Sequence, residues 1–294
     1  MTVLAEGSGE PSGEPSGERS GEPSSERVVP RSKRWRHGWI AETLGMLVVY
    51  QLYDFGRDQA TGTTARAFSN ARDVIAAERT LGIYWEKPIQ QAFLNVDWFM
   101  AFWNIYYGTV HFVLPLVALV WLYRKRPVRY VRWRNTLVLM WAIAVTAFFV
   151  YPLMPPRLMP ARYGFKDAAA EYYNFGPQVR VEFGPDGQPA QKALDQYGNP
   201  FAAMPSFHIG WSMWSLLAIW PLLRRRWVRG LLVAYVAGVL FCITVTANHW
   251  LLDAVGGLVV LGLGALGAWG IDRVGAAWRA RRAVSTPPAP AGAC

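Results

Sequence analysis

Residues 230–270 read GLLVAYVAGVLFCITVTANHWLLDAVGGLVVLGLGALGAWG. Two long apolar runs flank a polar break at Asn248–His249, and Asp253 is the one formally charged side chain in the stretch. A bilayer core about 30 Å thick takes roughly 20 apolar residues wound as a helix. The stretch therefore predicts a helical hairpin through a membrane, with helices over 230–247 and 250–271. Working outward, four more apolar blocks of similar length appear at 38–54, 98–123, 134–152 and 205–222. The expected fold class is an all-α membrane protein, a six-transmembrane-helix bundle with helices on its outer face and a long extracytoplasmic loop.

Charge patterning agrees. The chain carries a net charge of +10, which by itself fits nucleic acid as well as a membrane surface. Its Lys and Arg, however, sit at the ends of apolar blocks, as membrane topology requires and a nucleic-acid face does not. With the N-terminus inside, 20 of the 30 Lys and Arg fall in inner segments. Arg124, Lys125, Arg126, Arg129, Arg132 and Arg134 crowd one inner loop, and Arg224, Arg225, Arg226 and Arg229 another. Positive-inside then predicts a multi-pass protein of the cell membrane with both termini cytoplasmic. Two cysteines, Cys242 and Cys294, suggest neither a disulfide framework nor a cysteine metal site.

Three regions follow. Residues 1–37 contain Ser-Gly-Glu-Pro repeats over 8–27, too polar to repay folding entropy, and are expected to be a disordered cytoplasmic tail. Residues 38–273 form the membrane catalytic domain, with Glu42 near enough to the first helix's start to reach the interface. Residues 274–294 are expected to be a second disordered cytoplasmic tail. Two outer segments are long. In 61–96, Phe68, Ala71, Val74, Ile75 and Leu81 mark one or two helices on the outer membrane face. In 153–204, Gly184-Pro185-Asp186-Gly187 signals a turn, such as a hairpin tip; a loop this long is more often functional than idle.

Ionisable groups are expensive inside a membrane, so those near its helices carry the functional argument. Met204-Pro205-Ser206-Phe207-His208 places Pro205 to begin a helix, with Ser206 and His208 in a first turn whose free N–H groups attract anions. His249 and Asp253 are four residues apart, on one helix face, where a carboxylate can hold the imidazole in one tautomer; Gly256 and Gly257 allow a neighbouring helix to approach. Arg157 follows Tyr151-Pro152-Leu153-Met154-Pro155-Pro156 and offers a planar fork suited to phosphate. All three motifs fall at the outer face. His111 lies about halfway across its helix, able to contact a substrate head group or to pair with Asn104 or Tyr107. Imidazole and carboxylate ligands also suit zinc, and Ser206 with His249 could form a serine-hydrolase pair, although no Gly-x-Ser-x-Gly elbow is present.

Pro205-Ser206-x-His208-x-Gly210 followed by His249-x3-Asp253-x3-Gly257 resembles the type 2 phosphatidic acid phosphatase superfamily. Glu78-x2-Leu81-Gly82, Tyr107-x3-His111-Phe112 and Pro155-Pro156-Arg157 further resemble its inositolphosphotransferase branch, the inositol phosphorylceramide synthase-like proteins. The match spans about residues 75–260. The resemblance implies a six-helix core and phosphoryl transfer in two steps. His249 attacks phosphorus to form a phosphohistidine, Asp253 orients it, and His208 protonates the leaving oxygen. Arg157 and Ser206 hold the non-bridging oxygens; His111 and Tyr107 become candidate substrate contacts. No metal and no cofactor are implied. The chain departs from the phosphatase pattern at Val150, where those enzymes have Lys, and at Cys242 and Ile243, where they have Ser-Arg. Fewer fixed cations favour a singly charged phosphodiester, with Arg162, Lys166 or Arg180 as possible substitutes. The expected partners are the membrane and a phospholipid or other lipid phosphate, inositol-containing in the leading reading. The alternatives are a lipid phosphate phosphatase acting on phosphatidic acid or a polyprenyl phosphate, or a non-catalytic scaffold or transporter.

Overall fold

A computed structural model describes residues 35–60, 62–168, 181–185, 187–189 and 199–285. The N-terminal repeat, Arg180 and residues 286–294 lie outside the described residues. The chain divides into two compact units, Met1–Gly45 and Met46–Cys294, and every residue of the site described below belongs to the second.

Eight α-helices are described: α1 (Trp35–Gln59), α2 (Thr64–Leu81), α3 (Glu86–Phe93), α4 (Asp97–Lys125), α5 (Pro127–Val150), α6 (Phe207–Ile219), α7 (Arg226–Val245) and α8 (Leu251–Ser285). Pairing between extended segments is confined, among the described residues, to two isolated bridges. Four helices, α4, α5, α7 and α8, are long and apolar enough to cross a membrane. The other two expected spans fall short for separate reasons. α6 has 13 residues, about 20 Å at 1.5 Å per residue. In α1, Glu42, Gln51 and Asp54 break up the apolar run.

Helix ends correct several expectations. The Arg-rich inner loop over 124–134 reduces to Arg126, because Pro127 occupies the first turn of α5 and Arg129, Arg132 and Arg134 are helical. Proline suits that position, where its missing N–H would have had no partner. Pro205 does not open α6. The helix begins at Phe207 behind Ser206, and the Met204–Pro205 peptide is cis. At the far end, the tail expected from 274 is helical to Ser285 as a continuation of α8.

α6 lies at the centre, with Trp214 and Ser212 fully buried. Glycines set the closest approaches. A Cβ on Gly257 of α8 would overlap the Ser206 carbonyl oxygen, and one on Gly264 would come within 2.9 Å of the Thr136 carbonyl on α5. The first is the close approach anticipated from Gly256 and Gly257; Gly264 was not singled out in the sequence. Arg129 donates from Nε to the Ala218 carbonyl at 2.8 Å, so a cation closes the C-terminal end of α6. Arg132 and Asp272 tie α5 to α8 at 2.6 Å. Large apolar side chains such as Phe102, Val113, Leu116, Leu231, Val259 and Leu266 face outward, as lipid-facing helices require.

At the opposite end sits a cover. The 61–96 segment forms α2 and α3. Thr63 caps α2, its Oγ1 accepting from Arg66 N, and Gly82 terminates it at φ 72°. Ala67, Phe68, Ala71, Val74 and Ile75 turn inward onto Leu153, Met154, Phe165 and Trp250; Leu81, expected on that face, is 62% exposed. In the long loop, Gly187 N–H bonds the Gly184 carbonyl at 2.8 Å and Phe183 pairs antiparallel with Pro189, the turn read from the sequence.

Candidate active site

The site is built where helices begin and end beneath the α2–α3 cover. α7 finishes at Val245, and Ala247, at φ 54°, makes the tight turn toward α8. A left-handed alanine costs roughly 1–2 kcal/mol, and the surroundings hold it there: Ala247 N–H bonds the Thr244 carbonyl and its carbonyl accepts from Arg157 N–H at 2.9 Å. One turn thus fixes Arg157 and, two residues on, His249. Asn248 and His249 N–H both point to the Ile243 carbonyl, and the Asn248 amide donates to Thr246 Oγ1 at 2.8 Å.

The His249 ring is held at both nitrogens. Nδ1 lies 2.9 Å from the Ala203 carbonyl oxygen and 3.3 Å from Asp253 Oδ2. Both neighbours only accept, so Nδ1 carries the proton and the neutral ring keeps its lone pair on Nε2. Nε2 in turn lies 3.2 Å from His208 Nδ1, which must therefore be the donor. Asp253, buried at 0% exposure, also accepts from Trp250 N–H at 2.9 Å. One carboxylate thus orients the imidazole and closes the first turn of α8.

His208 is wedged by aromatic rings. Tyr107 stacks on it at a centroid distance of 4.1 Å and 20°, and the His111 ring lies 4.0 Å away. Asn104 does not pair with His111; its amide bonds the Met100 carbonyl in its own helix. Ser206 is fully buried, its N–H on the Asp253 carbonyl at 2.9 Å and its hydroxyl without a partner.

A cavity of about 110 Å³ opens here, lined by Tyr107, Pro155, Arg157, Asn199, Pro200, Ala202, Ala203, Asn248 and His249. Arg157 supplies the guanidinium among the described lining residues. Its Nη1 bridges both Asp167 oxygens at 3.0 and 3.1 Å, while its Nε is buried and unpaired. A buried N–H without a partner costs about 1–3 kcal/mol, which an anion oxygen in the cavity would recover. Cys242 Sγ–H turns to the Trp103 carbonyl and Ile243 packs with Ile209, Val239 and Ala254. Neither offers a charge to the cavity. Arg162 is engaged at the loop, its Nη2 on the Gly187 carbonyl. Neither Arg162 nor Lys166 is among the lining residues.

Of the residues singled out in the sequence, His208, His249, Asp253, Arg157 and Tyr107 come together here. Of all these, Arg157, Tyr107 and His249 line the cavity, and His208, Asp253, Ser206 and His111 do not. Asp167 was missed and has no sequence signal; Asn248 was named only as part of the polar break beside His249 and given no role. Among the described residues no group of three or more His, Cys, Asp or Glu is disposed to hold a metal ion.

A family model described as the PAP2 superfamily matches residues 72–267, about two thirds of the chain. No curated protein and no solved structure matches it.

Proposed function

This chain belongs to the PAP2 superfamily of phosphatases and phosphotransferases, and on that premise we propose that it is a membrane phosphotransferase acting on a lipid-linked phosphodiester through a phosphohistidine at His249. The observation that carries the reading is the fixed tautomer of His249. The Ala203 carbonyl and Asp253 hold the proton on Nδ1, and the lone pair of Nε2 stands at the cavity edge beside His208.

The steps balance as follows. His249 Nε2 attacks phosphorus, the bond from phosphorus to the lipid alcohol breaks, and His208, entering the step as imidazolium with a proton on each nitrogen, gives its Nδ1 proton to the departing oxygen and is left neutral. Arg157, through Nε, and nearby backbone N–H groups hold the non-bridging oxygens. An acceptor hydroxyl oxygen then attacks phosphorus, neutral His208 takes its proton on Nδ1, and the P–N bond breaks, returning the lone pair to His249 Nε2 and leaving His208 as imidazolium again. Tyr107 and His111 keep the His208 ring in place, with Tyr107 also facing the substrate. Ser206 lends a hydroxyl at the N-terminus of α6, where the helix dipole favours an anion.

A diester donor is favoured by charge. Val150, Cys242 and Ile243 bring no cation, and Arg157 is already ion-paired with Asp167. A phosphomonoester carries up to two negative charges, a diester one. The inositolphosphotransferase reading, with phosphatidylinositol as donor, follows from that balance and from the motifs at Glu78, Tyr107 and Arg157.

In the membrane, we read α1, α4, α5, α6, α7 and α8 as six spans, both termini cytoplasmic, and α2 and α3 on the extracytoplasmic face. The Arg-rich ends of α4, α5 and α7 lie at the end of the bundle opposite the cavity, which by the positive-inside rule supports an outward-facing site.

The test is a product assay by mass spectrometry. Purified protein is incubated with phosphatidylinositol, phosphatidic acid and a polyprenyl phosphate, with and without inositol and hydroxyl-bearing lipids. Acceptor-dependent transfer of an intact phospho-head group, lost in His249→Ala, is expected. Free phosphate from the monoesters, with no acceptor effect, would establish the phosphatase instead.

A further inference from the structure

Three successive N–H groups open α8, and each goes to a different buried carboxyl. Trp250 N–H bonds Asp253 Oδ2 at 2.9 Å, Leu251 N–H bonds Glu86 Oε1 at 2.7 Å, and Leu252 N–H bonds Glu78 Oε1 at 2.8 Å. Glu78, in the last turn of α2, and Glu86, the first residue of α3, are both at 0% exposure. They come from 165 and 174 residues away in the sequence. Ordinary helix N-termini are capped locally by a Ser, Thr, Asp or Asn side chain just ahead of the first turn. Here those places hold His249, whose ring is turned to His208, and Asn248, whose amide bonds Thr246. With the local caps committed elsewhere, only Asp253 and the two glutamates serve the turn.

We propose that Glu78 and Glu86 are positioning residues of the phosphoryl-transfer site: together they grip the first turn of α8 and so fix His249 and Asp253 against His208. The inference rests on the role given to His249 above. It also explains a second observation. Each glutamate spends one oxygen on α8, and the other, Glu78 Oε2 and Glu86 Oε2, is buried with no donor. Two side chains bonded to adjacent N–H groups are neighbours, and two buried carboxylates side by side repel. A single proton between them makes one a donor and the other an acceptor. Burial, and for Glu78 also the charge of Glu86, holds both carboxyls above the ordinary range. The pair thus sets one net negative charge against the positive end of the α8 dipole. The α2–α3 cover is packed on the same turn, with Tyr84 stacked on Trp250 at 6.4 Å.

The test uses the full chain in lipid nanodiscs, with phosphatidylinositol and phosphatidic acid as substrates. Glu78→Gln keeps an oxygen for Leu252 N–H and presents an amide N–H to Glu86, imitating the protonated member. Its kcat is expected to stay within about 3-fold of wild type. Glu78→Asp keeps the acid but withdraws it by one methylene, and Glu78→Ala removes it. Both are expected to lower kcat, by about 100-fold for Ala, with KM nearly unchanged, since misplacement of about 1 Å costs roughly that much in rate. Formation of phosphoryl-His249 should slow in parallel. If Ala fails to fold, Asp carries the comparison. A Gln variant as impaired as Asp, or an Asp variant as fast as wild type, overturns the proposal. Wild-type turnover that survives His249→Ala, or no turnover of either lipid, instead sinks the reading of His249 itself.

Discussion

Replacing Asp253 by Asn separates the two tasks assigned to that carboxylate. Asn is nearly isosteric and can still accept from Trp250 N–H, so the first turn of α8 should survive. The proton on His249 Nδ1 should also stay, because the Ala203 carbonyl lies nearer, at 2.9 Å against 3.3 Å for Asp253. What vanishes is the negative charge facing an imidazole that becomes positive as Nε2 bonds to phosphorus. Two unit charges 3.3 Å apart interact by about 5 kcal/mol at an effective dielectric constant near 20. Only part of that charge has developed in the transition state, so about 3–5 kcal/mol is at stake, roughly a 10²–10⁴-fold loss. The expected result is a fall in kcat of that size with KM almost unchanged, measured as product formed from phosphatidylinositol. Thermal unfolding of the variant in the same detergent controls for folding. A folded Asp253→Asn enzyme within 10-fold of wild type would refute the argument and leave the Ala203 carbonyl as the sole orienting group.

Three further outcomes follow from the same geometry. His208→Gln should cost about 10²–10⁴-fold with a lipid alcohol as leaving group but far less with p-nitrophenyl phosphodiesters, whose leaving group departs unprotonated; equal losses would remove His208 as the acid. Asp167→Asn frees Arg157 from its ion pair, so the ratio of monoester to diester turnover should rise several-fold, and an unchanged ratio would undo the charge argument for a diester. The raised Glu78 carboxyl stabilises the fold fully only below its ordinary value of 4.5, and that contribution declines as pH climbs toward the raised value. Melting temperature should therefore drop between neutral and alkaline pH in wild type and drop less in Glu78→Gln; parallel curves would show that the pair holds no proton.

How much of this was legible beforehand depends on the range of each interaction. Apolar runs and the His249–Asp253 spacing are local properties, and they gave the long helices and one half of the site directly. Glycine pairs announced a close crossing, though not its partner. α6 shows what apolarity alone leaves open: its 13 residues are fewer than the apolar run that predicted it, because a short 3-10 turn at Trp220–Leu222 carries that run beyond the helix. Glu86 had no local signature, since the N–H it accepts from, on Leu251, lies 165 residues away; Asp167 is only ten residues from Arg157, but no periodicity or motif in that loop pairs them. The Ala203 carbonyl, which bears directly on the His249 tautomer, is a backbone group, and no reading of side chains would have found it.

The site also explains why its polar groups gather where they do. Within a membrane a buried charge or unpaired N–H is costly, and helix interiors satisfy their own backbone. Helix ends do not, and they supply oriented N–H groups and partial charge at no further desolvation. Here the end of α7, the start of α6 and the start of α8 meet under one cover. The leftover N–H groups of α8 are assigned to three acids, and Arg157 is the cation at the cavity wall. With His208 Nδ1 only 3.2 Å from His249 Nε2, no phosphorus atom fits between the two nitrogens. A phosphoryl group must enter from the cavity side and part them, exchanging the hydrogen bond that masks the nucleophile for the bond it makes. On the proposed mechanism chemistry would be coupled to occupancy: a phosphate that displaces His208 would expose the lone pair of His249 and, with His208 as imidazolium, free its Nδ1 proton for the leaving group.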